Sequence, residues 1–332
     1  MNDPVNATFA PARPWLTGNL QTIADRLRPP VHDLDRASSE QRMVIPIDDG
    51  SGDALAVRIH RPRIAPRPDR PMVLVVHGLG GSVESTYVRA SALGLLRAGY
   101  PVARVDLRGV GDSSQHCRML YHGGRSADLR AVLRVLAEQP GAEGVALMGF
   151  SLGGNVTLKL LGEPLEDLPV RAGVAVSTPL DLATGTEHLS HRMHGLYQRF
   201  LVSKLRTDTA HSGLALTPQE RVAISRMRTI TEFDDLITAK HNGWRDAAEY
   251  YAVNSSAQFL PQITVPTLVI HAMDDPMVPA SSYRAIDWTA LEASTPVRRL
   301  ITAHGGHVGF HEDGGRDLPW YVGRAVEHFD AV

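Results

Sequence analysis

The chain has 332 residues, 43% of them hydrophobic, and its 34 Lys+Arg against 36 Asp+Glu leave a formal charge of -2. So even a balance gives no overall field to gather nucleic acid or an anionic membrane surface, and the single cysteine, Cys117, excludes an intramolecular disulfide and cysteine-rich metal sites. The opening MNDPVNATFAPARPWL has no basic segment leading into an apolar one, and no apolar run approaches the roughly 18 residues a membrane span needs, so a protein without export signal or membrane anchor, suited to a reducing cytoplasm, is expected.

In chain order, the first short aliphatic and β-branched runs are MVIPI (43–47) and LAVRIH (55–60), which flank DDGSGD with no helical pattern between them. They predict an antiparallel hairpin at one sheet edge. After the Pro/Arg-rich connector RPRIAPRPDRP (61–71) come MVLVVH (72–77), PVARVD (101–106), GVALMGF (144–150) and AGVAVS (172–177), then TLVIHA (267–272) and RRLIT (298–302). Stretches with apolar residues three and four apart separate most of them: STYVRASALGLLRAG, SADLRAVLRVLAEQ and LGGNVTLKLLG. Alternation of this kind predicts βαβ units, hence an α/β fold with a mostly parallel eight-stranded sheet and helices on both faces. Between 178 and 262 the alternation stops, and helical patterns run on without a convincing strand. The expected division is an α/β core over 1–177, a helical cap insertion over 178–262, and the rest of the core over 263–332. No G-x-x-x-x-G-K-[ST] is present and no G-x-G-x-x-G follows a strand, so nucleotide-binding readings lose their main support.

The chemistry centres on GFSLGGN (149–155), where Ser151 lies between glycines at the junction of a predicted strand and a predicted helix. A serine on so sharp a turn takes a strained backbone, and its neighbours at minus two and plus two are crowded, so side chains at Gly149 and Gly153 would clash. The turn lifts the hydroxyl to a helix N-terminus, where free N–H groups favour developing negative charge. A serine also needs a base, and in this arrangement the order along the chain is serine, acid, histidine. Downstream, MDDPMVP places Asp274 and Asp275 after one strand, and AHGGHVGFHE places His304, His307 and His311 after the next. Strand C-terminal ends are where sites of open α/β sheets collect. For the oxyanion formed during acyl transfer, VVHGLGGS and the elbow supply the backbone N–H groups of Leu79 and Leu152.

Together RPWLTGNLQTI, HGLGGSVESTYVR, RGVGDSS, YHGGRSADLRAVL, GFSLGGN, ITEFDDLITAKHNGWRDAAEYY, AMDDPMVP and HGGHVGF resemble the YheT-like branch of the α/β-hydrolase superfamily, relatives of animal α/β-hydrolase-domain lipases. The resemblance implies Ser151 as nucleophile, Asp275 as acid and His307 as base, with hydrolysis of carboxylic esters through an acyl-enzyme and no cofactor; some relatives act on phospholipids. The implied partner is a small-molecule acyl ester. This chain reads Asp106-Leu107-Arg108-Gly109 where many relatives have Asn-His-Arg-Gly. The same triad would serve an acyltransferase or thioesterase, and a ligand-binding protein of negligible turnover would keep the same fold.

Within 178–262, Tyr197, Phe200, Phe233, Trp244 and Phe259 supply large apolar groups that the triad loops lack, so an acyl pocket lined by Phe200 and Trp244 is expected. His188, His191 and His194 fall at i, i+3 and i+6, and on a helix the outer two diverge by about 120°, so no metal is expected there. Asp128 reads as a helix-start residue favoured by the positive end of the dipole.

Overall fold

The computed structural model describes residues 4–64, 69–191, 195–312 and 318–332. Eight strands form one sheet: β1 (Ser38–Pro46), β2 (Ala54–Pro62), β3 (Met72–Val76), β4 (Val102–Val105), β5 (Val145–Phe150), β6 (Val170–Val176), β7 (Thr267–Ala272) and β8 (Val297–Thr302). Their order across the sheet is β1-β2-β4-β3-β5-β6-β7-β8. The hairpin β1–β2 is antiparallel, β2 joins β4 antiparallel, and every other pairing is parallel. All residues of β3, β4, β5 and β7 are buried, as strands covered on both faces require; β3 and β5 read as continuous apolar runs for this reason, while β4 and β7 also bury Arg104 and His271. β1 starts at Ser38, ahead of its apolar run, because an edge strand tolerates the exposed Glu40, Gln41 and Arg42.

Two apolar layers sandwich the sheet. Leu93 and Leu96 of the helix Thr86–Arg97 meet Val322 and Phe329 of Trp320–Asp330 on one face. Leu129 and Leu133 of Ser126–Ala137 meet Leu158 and Leu161 of Leu152–Leu161 on the other. Between β6 and β7 the chain makes the helices Leu182–His191, Leu196–His211, Pro218–Arg226 and Ala247–Asn254, with a π-helix at Asp234–Ala239. Capping boxes start two segments here, Thr217 with Glu220 and Thr229 with Glu232. Leu189, Leu201, Leu205, Ile230 and Phe233 form a separate apolar cluster.

The helix Gly18–Leu27 has no counterpart in the strand and helix patterns; capped by the Thr17 hydroxyl, it lies against the loop that carries His307. Another interaction also changes a sequence reading. Asp128 does sit in the first turn of its helix, but its carboxylate takes two hydrogen bonds of 2.7 Å from the fully buried Arg108, which also binds Asp49 and Asp53 in the β1–β2 turn. Removing one member of a buried charge network leaves the others unpaired. Arg108→Met should therefore lower unfolding free energy by about 3–5 kcal/mol, read by urea denaturation at pH 7.

Candidate active site

Ser151 links β5 to the helix Leu152–Leu161 with φ 49° and ψ -121°, a region that L-residues rarely adopt. Its N–H bonds to Val176 O at 2.9 Å, which ties the elbow to the next strand. A Cβ on Gly149 would strike Thr157 and the Gly153 carbonyl, and one on Gly153 would strike the His77 carbonyl. Both glycines are thus required by close approach, and Gly153 is what lets the elbow lie against the loop after β3. Gly153→Ala should force the two apart, lowering kcat together with Tm; activity and thermal denaturation measured on one preparation check this.

Asp275 follows β7. Its Oδ1 accepts from the N–H groups of Met277 (2.8 Å) and Val278 (2.9 Å), while Oδ2 accepts from His307 Nδ1 at 2.8 Å. Burial works to raise this carboxyl, yet His307, His271 and the Val278 N–H outweigh it and hold the group below the usual carboxylate range. Because Nδ1 faces the carboxylate, it carries the ring proton and Nε2 is left to accept; it lies 3.1 Å from Ser151 Oγ.

Backbone strain helps to place His307. The two residues Val308 (φ 59°) and Phe310 (φ 51°) are both left-handed, and the first is β-branched. The turn is held by Ser177 Oγ on Val308 N–H (3.1 Å), Gly305 O on Phe310 N–H (2.9 Å) and Thr22 Oγ1 on His307 N–H (2.9 Å). The other acid and histidines lie apart from this line. Asp274 accepts from Gly306 N–H (2.9 Å) and contacts His304 Nδ1 at 3.1 Å, and His311 faces Asp25 at 3.3 Å.

Opposite Ser151 runs the turn His77-Gly78-Leu79-Gly80, whose Gly78 is packed so tightly on Ser151 that a Cβ there would lie 2.8 Å from the serine Cβ. Gly78 N–H donates to Tyr87 OH and Gly80 N–H to Tyr121 OH. Between them the Leu79 N–H, like that of Leu152 at the head of its helix, has no hydrogen-bond partner among the described residues. His77 Nε2 accepts from Leu107 N–H at 3.1 Å, so Nδ1 donates to Gly78 O at 2.8 Å and fixes the peptide that carries the Leu79 N–H.

A cavity of about 760 Å³ opens above Ser151 and His307. Tyr197, Phe200 and Phe233 line it, Phe200 at 40% exposure with Arg26 stacked 5.1 Å from its ring. Trp244 does not line it: the indole lies one layer behind, 5.0 Å from the rings of His122 and Tyr250, which do. Phe259 packs under Lys159 instead. Part of the wall comes from Gln21, Thr22 and Arg26 of the helix Gly18–Leu27, for which periodicity gave no warning. No group of three or more metal-ligating side chains occurs among the described residues; of His188, His191 and His194, the last lies outside them.

His271 escaped the sequence reading because TLVIHA reads simply as a strand. Its ring is buried, stacked on Tyr283 at 3.7 Å, and lies 3.9 Å from Asp275 Oδ2, with neither nitrogen hydrogen-bonded among the described residues. Burial pushes this imidazole down to about 4, with Asp275 pulling it up and His307 adding to the depression. The unfolded chain would then take up a proton near pH 6.5 that the folded chain refuses, so stability is present above that pH and lost as pH falls toward 4. His271→Phe should flatten this loss, worth on the order of 3 kcal/mol, in denaturant titrations at pH 7 and pH 4.5.

Residues 71–314 match the family described as "alpha/beta hydrolase fold". The chain belongs to the α/β-hydrolase family. YheT of Escherichia coli (strain K12), to which esterase activity is provisionally ascribed, is 34% identical to this α/β-hydrolase over 313 residues, 92% of this chain and 87% of YheT. A monoacylglycerol lipase of Saccharomyces cerevisiae is 30% identical over 275 residues, 79% of this chain but 59% of the yeast protein. Among solved structures, the Pyrococcus furiosus esterase Pf2001 superposes with a TM-score of 0.60 at 17% identity, covering 90% of this chain and 92% of its own, a likeness of fold. The α/β-hydrolase is thus YheT-like and a hydrolase, with relatives named as esterases and lipases. No helix among its described residues is long and apolar enough to cross a membrane.

Proposed function

We propose that the protein is a serine carboxylesterase acting on small acyl esters. The observation that carries this reading is the line Ser151 Oγ, His307 Nε2, His307 Nδ1, Asp275 Oδ2, with separations of 3.1 Å and 2.8 Å, beside two unused backbone N–H groups and an apolar cavity. His307 takes the Ser151 proton as Oγ attacks the acyl carbonyl, and the Leu79 and Leu152 N–H groups receive the oxyanion. The imidazolium, offset by Asp275, returns the proton to the departing alkoxide, leaving Ser151 acylated. Water then enters and gives a proton to His307 as its oxygen attacks the acyl carbon; the bond to Ser151 Oγ breaks, His307 returns the proton to Oγ, and the acid leaves.

The segment 178–262 serves as the cap in this reading, flanked by the core parts 1–177 and 263–332, and its apolar face holds the acyl chain. Phe200→Ala should then change relative kcat/KM along a series of p-nitrophenyl esters of graded chain length. Trp244→Ala should do less, because that indole acts on the wall only through His122 and Tyr250. An unaltered profile in Phe200→Ala would remove the cap from the acyl site. The reading as a whole is tested by labelling with a fluorophosphonate probe and by product analysis with added alcohols: labelled protein yielding free acid supports hydrolysis, acylated alcohol as the main product would make it a transferase, and no labelling would sink the serine mechanism.

A further inference from the structure

The cavity wall is apolar around Leu182, Leu189, Ile230 and Phe233, yet it contains one buried carboxylate, Asp234, on the first residue of the π-helix. Single stretches of π-helix cost hydrogen-bond geometry and recur where a side chain must be aimed at a site. Asp234 Oδ1 accepts from Thr238 Oγ1 and Oδ2 from Tyr251 OH, both at 2.7 Å. It forms no ion pair among the described residues. A carboxylate offers about four lone-pair positions, so two neutral donors leave it half satisfied. A buried charge without a cation is costly, and an apolar residue would fill the place without that cost.

The group is within reach of the reaction centre through packed side chains. Leu152, next to the nucleophile, packs against the cluster of Leu182, Ala247, Tyr250 and Tyr251, whose Tyr250 and Tyr251 ring centroids are 5.2 Å apart. Burial pushes the Asp234 carboxyl up to about 6, with Asp235 adding to this and the two hydroxyl donors opposing it, so at pH 7 the ionised, accepting form prevails.

We infer that Asp234, held by Thr238 and Tyr251, is a specificity subsite that accepts a hydrogen bond from a free hydroxyl on the ester substrate. The inference rests on the esterase reading of Ser151 and narrows it to hydroxylated esters. A hydroxyl could belong to the alcohol part or to the acyl part, and two matched pairs separate these: 1-butyrylglycerol against propyl butyrate, and propyl 8-hydroxyoctanoate against propyl octanoate. The wild-type enzyme should prefer the hydroxylated member of one pair, and that pair names the source. In Asp234→Leu the kcat/KM ratio within that pair should fall about ten- to a hundredfold, the size expected for a lost hydrogen bond to a charged acceptor. Asp234→Asn keeps the shape and a neutral acceptor, so its ratio should fall less; should the Leu variant not fold, any fall in the Asn ratio carries the test. A merely structural role for Asp234 would lower kcat/KM for both members of a pair alike and leave the ratio unmoved. Fluorophosphonate labelling of Ser151 accompanies every measurement. Wild-type protein that is labelled and hydrolyses the esters with no preference in either pair, or ratios unmoved in both Asp234 variants, overturns the subsite alone. Absence of both labelling and hydrolysis overturns the esterase reading beneath it.

Discussion

Ser151→Ala is expected to lower kcat by on the order of 10⁶-fold and to abolish covalent fluorophosphonate labelling, while the fold survives. The size follows from the division of labour in the proposed mechanism. Oγ forms the only covalent bond to substrate, and without it neither the base nor the acid has a proton to handle; what is left is binding and the oxyanion N–H groups, which retain a residual about 10³–10⁴ over water. The fold should be indifferent because the elbow is held by main-chain contacts, the Ser151 N–H on Val176 O and the close fit of Gly78 and Gly153, and not by the hydroxyl. Unchanged Tm with lost labelling is the expected pair of results. A variant labelled as fast as the parent would end the assignment of the nucleophile.

The parts of this molecule that were legible in the sequence share a physical cause. A strand buried on both faces is mostly apolar, so β3, β5 and β7 announce themselves, and each loop that follows a strand's C-terminal end could be located from it. Ser151 was legible because its turn demands glycine on both sides, and steric demands write themselves into residue type. Interactions between distant segments leave no such trace. The helix Gly18–Leu27 is short and polar, and nothing in its residues says that Thr22 will hold the His307 loop nearly three hundred positions later. His271 is hidden inside a strand pattern, and Trp244, large and apolar, is indistinguishable by composition from a residue that touches substrate. Asp234 and Asp235 look alike in EFDDL; one accepts from Tyr251 on the cavity wall and the other from the Ala247 N–H, a difference of one residue in helical phase that only the packed structure settles.

The same problem of adjacent acids arises at Asp274 and Asp275, and there the expected contrast in rate is large. Asp275 uses both oxygens: Oδ1 is fixed by the Met277 and Val278 N–H groups, which leaves Oδ2 directed at His307 Nδ1. In Asp275→Asn the amide oxygen will stay on those two N–H donors, since the amide nitrogen has nothing to accept with, and the NH₂ must then face the imidazole. Nδ1 becomes an acceptor and the ring proton moves to Nε2, where it points at the Ser151 hydroxyl and leaves no base for it. The imidazolium of the proposed mechanism also loses its counter-charge. These effects together lower kcat by about 10³–10⁴-fold. Asp274 lies on the other side of the turn, holding Gly306 N–H at 2.9 Å and His304 at 3.1 Å, contacts that brace the loop without touching Ser151 or His307 Nδ1. An amide oxygen can keep the Gly306 bond, so Asp274→Asn should lose about 1 kcal/mol of stability and little rate. Steady-state kinetics on the two purified variants, with Tm measured alongside, decide between them. The reverse ranking would make Asp274 the acid, and two mild effects would place the acid on some other residue.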